Sequence, residues 1–185
     1  ALLGAVVLVL IILAVLVGPL VWRVPIDAID FSAKLQGPSW AHPLGTDDLG
    51  QDLLARMLYG GRISIAVGFA AMVIAIVLGI PLGLWAGLKP NTAAGRTIMA
   101  GSILGFSLPT FWVGLMLIMV FSVMLGWLPS NGRGPTTLLF GVVPVSFLSA
   151  EGWTHLVLPA TNLALFKLAL LIRLNERGIT IILIE

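Results

Sequence analysis

Long apolar runs separated by short polar segments dominate the pattern of this chain. A helix needs about 20 apolar residues to cross the hydrocarbon core of a membrane. The runs therefore predict four membrane spans, at residues 1–22, 63–88, 97–128 and 156–172. The expected fold class is all-α, a polytopic transmembrane helical bundle. Residues 138–148 are apolar but too short to span, so we expect an interfacial or re-entrant segment there.

The third run is too long for one straight crossing, because its 32 residues would extend about 48 Å as a helix. Pro109 removes a backbone donor in its middle. Either the helix kinks there, or one helix ends near Phe106 and another begins near Leu108. Backbone groups freed at that depth need protein or water partners. Ser107, Pro109 and Thr110 are thus candidates for a hinge or a translocation path, with a simple packing kink as the alternative.

A polar segment, residues 23–62, separates the first two spans and predicts a short amphipathic helix. Asp48 fits its N-terminal cap, and acidic residues suit the positive end of a helix. Apolar residues recur at i, i+4 and i+8, and Asp52 and Arg56 have the spacing of an ion pair. Gly60-Gly61 is expected to end this helix after about 12 residues.

Small residues recur every four positions in the second run. They are Ala71, Ala75, Gly79, Gly83 and Gly87. On a helix this spacing forms one ridge with almost no side chains. Close backbone approach is a main attraction between helices in lipid. The ridge predicts tight packing against another helix, within the chain or across a dimer.

Composition supports a membrane protein, because 59% of residues are hydrophobic and 10% are charged, against about a quarter charged in soluble domains. A net charge of +2 gives no reason to expect a nucleic-acid partner. Four basic loop residues lie on one side of the predicted spans and five lie on the other side. These counts are too similar for the positive-inside rule to decide the orientation. The short loop containing Lys89 and Arg96 favours a cytoplasmic placement for that side, so residues 23–62 would lie outside.

Residues that could carry catalysis are scarce. His42 and His155 are the two histidines, and neither has a second metal ligand at i+3 or i+4. Zinc-protease, serine-hydrolase and paired intramembrane carboxylate motifs are missing from the sequence. We therefore predict no enzyme activity, no metal and no cofactor, and we interpret His42 as a loop residue bonded to backbone.

Two polar residues lie inside the fourth span. A lysine at mid-bilayer costs about 2.5–3.5 kcal/mol, so Lys167 either extends toward the interface near Arg173, faces a water-filled pathway, or pairs with another subunit. Asn162 is expected to hydrogen-bond between helices, or to form a polar face of the pathway together with Lys167.

The segment HPLGTDDLGQDLLARMLYGGRISIAVG resembles the permease subunits of bacterial ABC importers of the dipeptide, oligopeptide and nickel group. The residues that agree with that family's motif are His42, Leu44, Gly45, Thr46, Asp47, Gly50 and Asp52. The stretch GFSLPTFWVGLMLIMVFSVMLGWLPSNGRG resembles the same family. The resemblance covers residues 1–174, which would be a partial permease transmembrane domain.

The resemblance implies a multi-pass protein of the bacterial inner membrane that moves peptides, or nickel or opine-type solutes, by alternating access. It places residues 23–62 and their amphipathic helix in the periplasm. It implies a second permease subunit, ABC ATPase subunits, a periplasmic solute-binding protein and membrane lipid as partners. A non-transporting structural or assembly protein is the alternative. A secondary transporter would normally show midplane ionisable residues or inverted repeats, and the sequence shows neither.

The tail NERGITIILIE, residues 175–185, departs from the resemblance, since the family continues there into a cytoplasmic coupling loop. The tail instead looks like a buried strand of an ABC ATPase. A truncated gene, a frame artefact or a chimera would explain it. No Walker A loop precedes it, so the sequence predicts no ATP binding by that route.

Overall fold

A computed structural model describes residues 2–132, 134–135, 137–139, 143–145 and 149–184. Its elements are helices α1 (Leu2–Val21), α2 (Leu53–Leu88), α3 (Ala93–Ser107), α4 (Thr110–Leu117) and α5 (Ala150–Ile184), a 3-10 helix (Phe31–Ala33), a π-helix (Ile118–Met124), and strands β1 (Thr137–Leu139) and β2 (Val143–Val145). The chain forms two compact units, residues 1–65 with 136–145 and residues 66–135 with 146–185. The predicted all-α class is confirmed.

Within the described residues, three helices are long and apolar enough to cross a membrane. They are α1, α2 and residues 150–175 of α5. Residues 93–107 and 110–124 form a fourth candidate, bent by 105° at its break. This agrees with about four predicted spans.

The break in the third run matches the second of the two predicted alternatives. Helix α3 ends at Ser107, and α4 begins at Thr110. Leu108 is extended, with φ −84° and ψ 135°, because a residue before proline is pushed away from helical geometry. Pro109 is also extended, so the chain turns sharply here and does not kink gently.

The described residues of the apolar segment 138–148 belong to two short strands, β1 at Thr137–Leu139 and β2 at Val143–Val145. β1 and β2 pair antiparallel, with Thr137 opposite Val145 and Leu139 opposite Val143. The rest of this segment lies outside the described residues. The predicted interfacial or re-entrant placement therefore stays a prediction.

The prediction of a separate amphipathic helix before the second span is wrong. Helix α2 begins at Leu53, later than expected, and runs through Gly60-Gly61 without a break. Glycine inside a helix lowers the stability of the helix by only about 1 kcal/mol relative to alanine. Here the missing side chain makes room for a neighbouring helix. A Cβ on Gly61 would lie 2.5 Å from a methyl group of Val15, so glycine allows α1 to approach α2 closely.

Arg62 joins α2 to α1 at a proline. Pro19 lies inside α1 and cannot donate the usual helical hydrogen bond to the carbonyl of Val15. Arg62 Nε donates to that carbonyl at 3.1 Å, and Nη2 donates to Leu16 O at 3.0 Å. The arginine is only 9% exposed, so it satisfies a buried acceptor that proline leaves free.

The small-residue ridge of α2 is buried along its whole length, and two of its glycines lie against α5. A Cβ on Gly79 would lie 3.1 Å from Leu171 Cβ. A Cβ on Gly83 would lie 2.8 Å from Asn175 Cβ and 3.1 Å from Ile172 Cα. The ridge therefore contacts another helix of the same chain, as its spacing predicts.

The strand predicted for residues 175–185 is also wrong in its described part. Helix α5 continues without interruption to Ile184. A short apolar run between polar residues fits a strand and a buried helix equally well by pattern. The preceding helix decides here, because adding a turn to a formed helix is easier than starting a new element.

Candidate functional site

The motif residues His42–Asp52 fold into a compact loop cluster with residues 30–36. Backbone hydrogen bonds join the two segments, from Leu35 N to Asp47 O and from Thr46 N to Gln36 O, both 3.0 Å. The Thr46 hydroxyl donates to Ala33 O. We call residues 30–36 and 42–52 the loop cluster. The polar residues of the motif therefore mainly hold the loop cluster in one conformation.

Two motif glycines are required by backbone geometry. Gly45 and Gly50 have φ values of +79° and +75°, which favour glycine strongly. A Cβ on Gly50 would lie 1.7 Å from Asp30 O, and one on Gly45 would lie 2.5 Å from Gln36 O. The motif needs glycine at both positions for the two segments of the loop cluster to meet.

Asp52 is the buried centre of the loop cluster, with 2% exposure. Its Oδ1 accepts hydrogen bonds from Trp22 Nε1 at 3.1 Å and from Ala55 N at 2.7 Å. Its Oδ2 lies 2.9 Å from His42 Nδ1. Because Trp22 directly follows α1 and Asp52 directly precedes α2, this carboxylate links the ends of both helices.

The bond to Ala55 makes Asp52 the cap of α2, so the predicted cap at Asp48 is wrong. His42 contacts a buried carboxylate with its ring and donates its backbone N–H to Ser39 Oγ at 3.1 Å. His42 is a loop residue bonded to backbone as predicted, since its carbonyl accepts the N–H groups of Ser39 and Gly45 at 2.9 and 2.8 Å, but the contact of its ring with a carboxylate was not predicted. The sequence does not reveal that His42 contacts Asp52, because the path of the loop between them cannot be read from a sequence pattern.

The surroundings of Asp52 favour its charged form. Burial alone would raise its pKa, but hydrogen bonds from Ala55 N–H, His42 and Trp22 outweigh burial and lower the pKa below its ordinary value of 3.8. The positive N-terminal end of α2 acts in the same direction. Asp52 is therefore an anion at neutral pH with each oxygen occupied.

Asp47 takes the ion pair that the i, i+4 spacing assigned to Asp52. Its Oδ2 pairs with Arg56 Nη1, and its Oδ1 accepts the N–H groups of Leu49 and Gln51, both at 2.9 Å. The predicted Asp52–Arg56 pair is wrong because Asp52 turns inward to cap α2.

The second unit contains a pocket of about 260 Å³. Its wall consists of Gly114 and Ile118, the turn Pro129–Gly132, and His155, Leu158, Pro159 and Asn162 of α5. His155 Nδ1 lies 2.9 Å from Asn131 O, and because a carbonyl only accepts, Nδ1 carries the proton. The ring therefore fixes the turn against α5.

The side-chain oxygen of Asn162 is unsatisfied in this wall. This oxygen, Oδ1, is buried and has no hydrogen-bond partner among the described residues. A Cβ on Gly114 would lie 3.1 Å from Asn162 Nδ2, so the glycine provides the space for the amide. The helix–helix hydrogen bond predicted for Asn162 is not found for this oxygen.

The five residues predicted for a path or hinge do not form one group. Asn162 is the member that lines the described pocket wall. Ser107 is exposed and donates to Ile103 O of its own helix at 2.8 Å, while Pro109 and Thr110 form the helix break. Lys167 lies half-buried farther along α5. Their roles in transport stay predictions.

No group of three or more histidine or acidic side chains that could hold a metal occurs in the described part of the chain. Trp22 and Arg62 are structural partners that the sequence pattern did not predict. For Arg62 a signal existed, because a proline inside an apolar helix frees a carbonyl that some donor must satisfy. For Trp22 no local signal existed.

Residues 79–183, more than half of the chain, match the family described as binding-protein-dependent transport system inner membrane component. The match includes residues 175–183 of the tail, whose sequence was predicted to resemble an ATPase strand. It begins within α2, beyond the loop cluster.

Curated relatives agree with this family. The chain is 38% identical over 126 residues to a peptide transport system permease protein, SapB, of Salmonella typhimurium, covering 60% of this chain and 37% of the relative. It is 35% identical over 137 residues to the di/tripeptide transport system permease protein DppB of Pseudomonas aeruginosa, covering 66% and 40%.

A putrescine export system permease protein, SapB, of Escherichia coli K12 is 34% identical over 126 residues, covering 60% of this chain and 37% of the relative. The chain thus spans less than half the length of these relatives. The resemblance found in the sequence is confirmed, and the several apolar helices agree with a multi-pass inner-membrane location. The chain belongs to the family of binding-protein-dependent transport system inner membrane components.

Proposed function

We propose that this chain is a permease subunit of an ATP-driven importer that moves di- and oligopeptides across the bacterial inner membrane. The observation that carries the proposal is the family match across α2–α5 together with relatives named for peptide transport. Nickel or opine-type solutes are alternative substrates, because the motif resembles permeases of the dipeptide, oligopeptide and nickel group.

The proposed mechanism is alternating access with separate ATPase subunits. A periplasmic solute-binding protein delivers the substrate, and this chain and a second permease subunit each form half of the pathway. ATP favours one of two states by binding it more tightly than the other. In this scheme the chain itself catalyses no reaction. Its partial permease domain, predicted for residues 1–174, would continue into the tail, since the family match reaches residue 183.

Several features receive roles in this proposal. The loop cluster forms part of the outer surface that meets the solute-binding protein. The break at Ser107–Thr110 is a hinge, since two extended residues between helices let them reorient without breaking helical hydrogen bonds. Lys167 faces the aqueous pathway or the second subunit.

One relative is named for putrescine export, which makes polyamine transport the competing substrate class. A dication taken out of water needs anionic partners. The described wall of the pocket contains no carboxylate, which supports an uncharged polar substrate group over a polyamine. A purely structural membrane protein is the weaker alternative, because the relatives named here are transport permeases.

Uptake by the native host tests the proposal. In a strain that lacks its other dipeptide permeases, deletion of the full-length gene should abolish vanadate-sensitive uptake of radiolabelled alanyl-alanine. The reintroduced gene should restore uptake, while uptake of free alanine stays constant throughout. Unchanged dipeptide uptake after deletion would refute the peptide proposal, and a loss of putrescine efflux instead would favour the competing class.

A tagged full-length chain also tests the assembly. Purified from native membranes, it should bring down an ABC ATPase and a second permease subunit. Their absence under conditions that keep the chain folded would contradict the importer mechanism.

A further inference from the structure

The pocket formed by Gly114, the turn Pro129–Gly132 and α5 combines three unusual backbone or side-chain features. Asn162 Oδ1 is buried without a hydrogen-bond partner among the described residues. Ile118, another wall residue, begins the π-helix, a geometry often found at functional sites. Pro159 lies in the wall as well. It removes the N–H that would normally bond the carbonyl of His155 four residues earlier.

These features leave an acceptor of the wall without a donor among the described residues. The Asn162 side-chain oxygen has no hydrogen-bond partner among the described residues, and Pro159 cannot donate to the His155 carbonyl. An unsatisfied buried polar group is destabilising, so each such group calls for an explanation. A bound group that brings N–H donors would supply it.

The charge and size of the pocket narrow the ligand further. Its described wall contains no acidic or basic side chain apart from His155, and an unpaired ion would be costly there. Its volume of about 260 Å³ corresponds to roughly nine waters at about 30 Å³ each. It therefore suits a short uncharged segment carrying an N–H donor, while the rest of the ligand, including any charged end, lies outside the wall.

We propose that this pocket binds the main-chain amide of the transported peptide, with Asn162 Oδ1 accepting the peptide N–H. This inference rests on the proposed peptide function and extends it. Recognition of the main chain explains how a peptide path can accept different side chains, because every peptide presents the same amide.

Binding of a matched pair of ligands tests this inference. The full-length chain, in its purified transporter without the solute-binding protein, is placed in nanodiscs. Alanyl-alanine and its depsipeptide, in which an ester oxygen replaces the amide N–H, are compared by equilibrium dialysis. The wild type should bind the amide about fivefold to tenfold more tightly than the ester, the effect of roughly one hydrogen bond.

Variants locate the effect in the pocket. Asn162→Leu should bind amide and ester equally. Leu163→Ala, an exposed neighbour on α5, should keep the wild-type preference. Gly114→Ala places a methyl group beside the Asn162 amide and should weaken both ligands, which provides a second readout should Asn162→Leu fail to fold.

Three results would overturn the inference: no amide preference in the wild type, an unchanged preference in Asn162→Leu, or tighter binding of putrescine than of alanyl-alanine. A wild type without amide preference would mean that the pocket does not recognise the peptide N–H. If cellular uptake of alanyl-alanine still depends on the gene in any of these cases, the peptide function stands and the assignment of the pocket fails. If deletion of the gene leaves alanyl-alanine uptake unchanged, the proposed function itself fails.

Discussion

Removal of the Asp52 carboxylate should open the loop cluster. Asp52→Ala takes away the acceptor of three hydrogen bonds, from Trp22, His42 and Ala55. It leaves the Ala55 N–H at the start of α2 without its cap. The buried donors that remain would have to find water, which requires the cluster to loosen.

The magnitude follows from burial and charge. Each hydrogen bond to an ionised group contributes about 1.5–3 kcal/mol, and Asp52 is only 2% exposed, so screening by water is small. Since the three bonds share one group and are not additive, we expect a local loss on the order of 3 kcal/mol. Asp52→Asn keeps an acceptor oxygen and should cost about 1 kcal/mol.

Hydrogen exchange of the full-length chain, followed by mass spectrometry, measures this local opening. Amides of residues 53–56 should exchange about 100-fold faster in Asp52→Ala and less than tenfold faster in Asp52→Asn, at about 1.4 kcal/mol per factor of ten. Asp48→Ala is the matched control, because Asp48 is exposed in the same loop. Exchange in Asp52→Ala within threefold of wild type would refute the role of the carboxylate.

The same site predicts a dependence on acid. The pKa of Asp52 is lowered in the folded chain, so its contribution is complete above the unfolded value of 3.8 and is lost as the pH falls through the lower folded pKa. Protection of residues 53–56, corrected for intrinsic exchange rates, should therefore decrease below pH 3.8 in the wild type. Asp52→Asn should show a smaller decrease, and an identical decrease in both proteins would contradict this assignment.

Three further substitutions test the packing. Gly50→Ala should destabilise the loop cluster by at least 1–2 kcal/mol because of its positive φ and a clash with backbone, whereas Gly37→Ala, which meets open space, should be neutral in the same exchange assay. Arg62→Met should cost about 2 kcal/mol in a denaturant titration in micelles, and less in a Pro19→Ala background, where the restored N–H satisfies the Val15 carbonyl; equal costs would contradict the pairing. Gly83→Ala should destabilise the contact with α5 by about 1–3 kcal/mol, and a stability equal to that of Gly37→Ala would show that this contact tolerates a methyl group.

The membrane helices could be predicted from sequence because hydrophobic length is a local property. The long runs gave the number of spans, and Pro109 gave the position of the break, since proline acts on its own and the preceding residue. The four-residue spacing of the ridge gave its burial for the same reason. Asn162 was detectable because an amide inside an apolar run stands out from its surroundings.

The loop cluster could not be predicted, because its contacts join residues far apart in sequence. Trp22 and Asp52 are separated by 30 positions, and no periodicity relates them. The same limit explains the errors at Asp48 and Asp52. Both positions satisfy the local rules for a cap, and only the partners of Asp52 decide between them. The tail was wrongly predicted for a different reason. Its apolar pattern fits a strand and a helix equally well, and it is helical because it continues α5.

The π-helix at residues 118–124 has a consequence for insertions and deletions. Its wider turn, seen in the bond from Leu125 N to Val120 O at 3.0 Å, accommodates one more residue than an α-helical path would. Deleting one residue from the π-helix should restore α-helical winding and leave the residues after it pointing in nearly the same direction, whereas a deletion in an α-helical segment would rotate them by about 100°. The turn Pro129–Gly132 would then keep its direction relative to the helix. Related chains should therefore differ by one residue more readily in the π-helix than in the α-helical turns beside it.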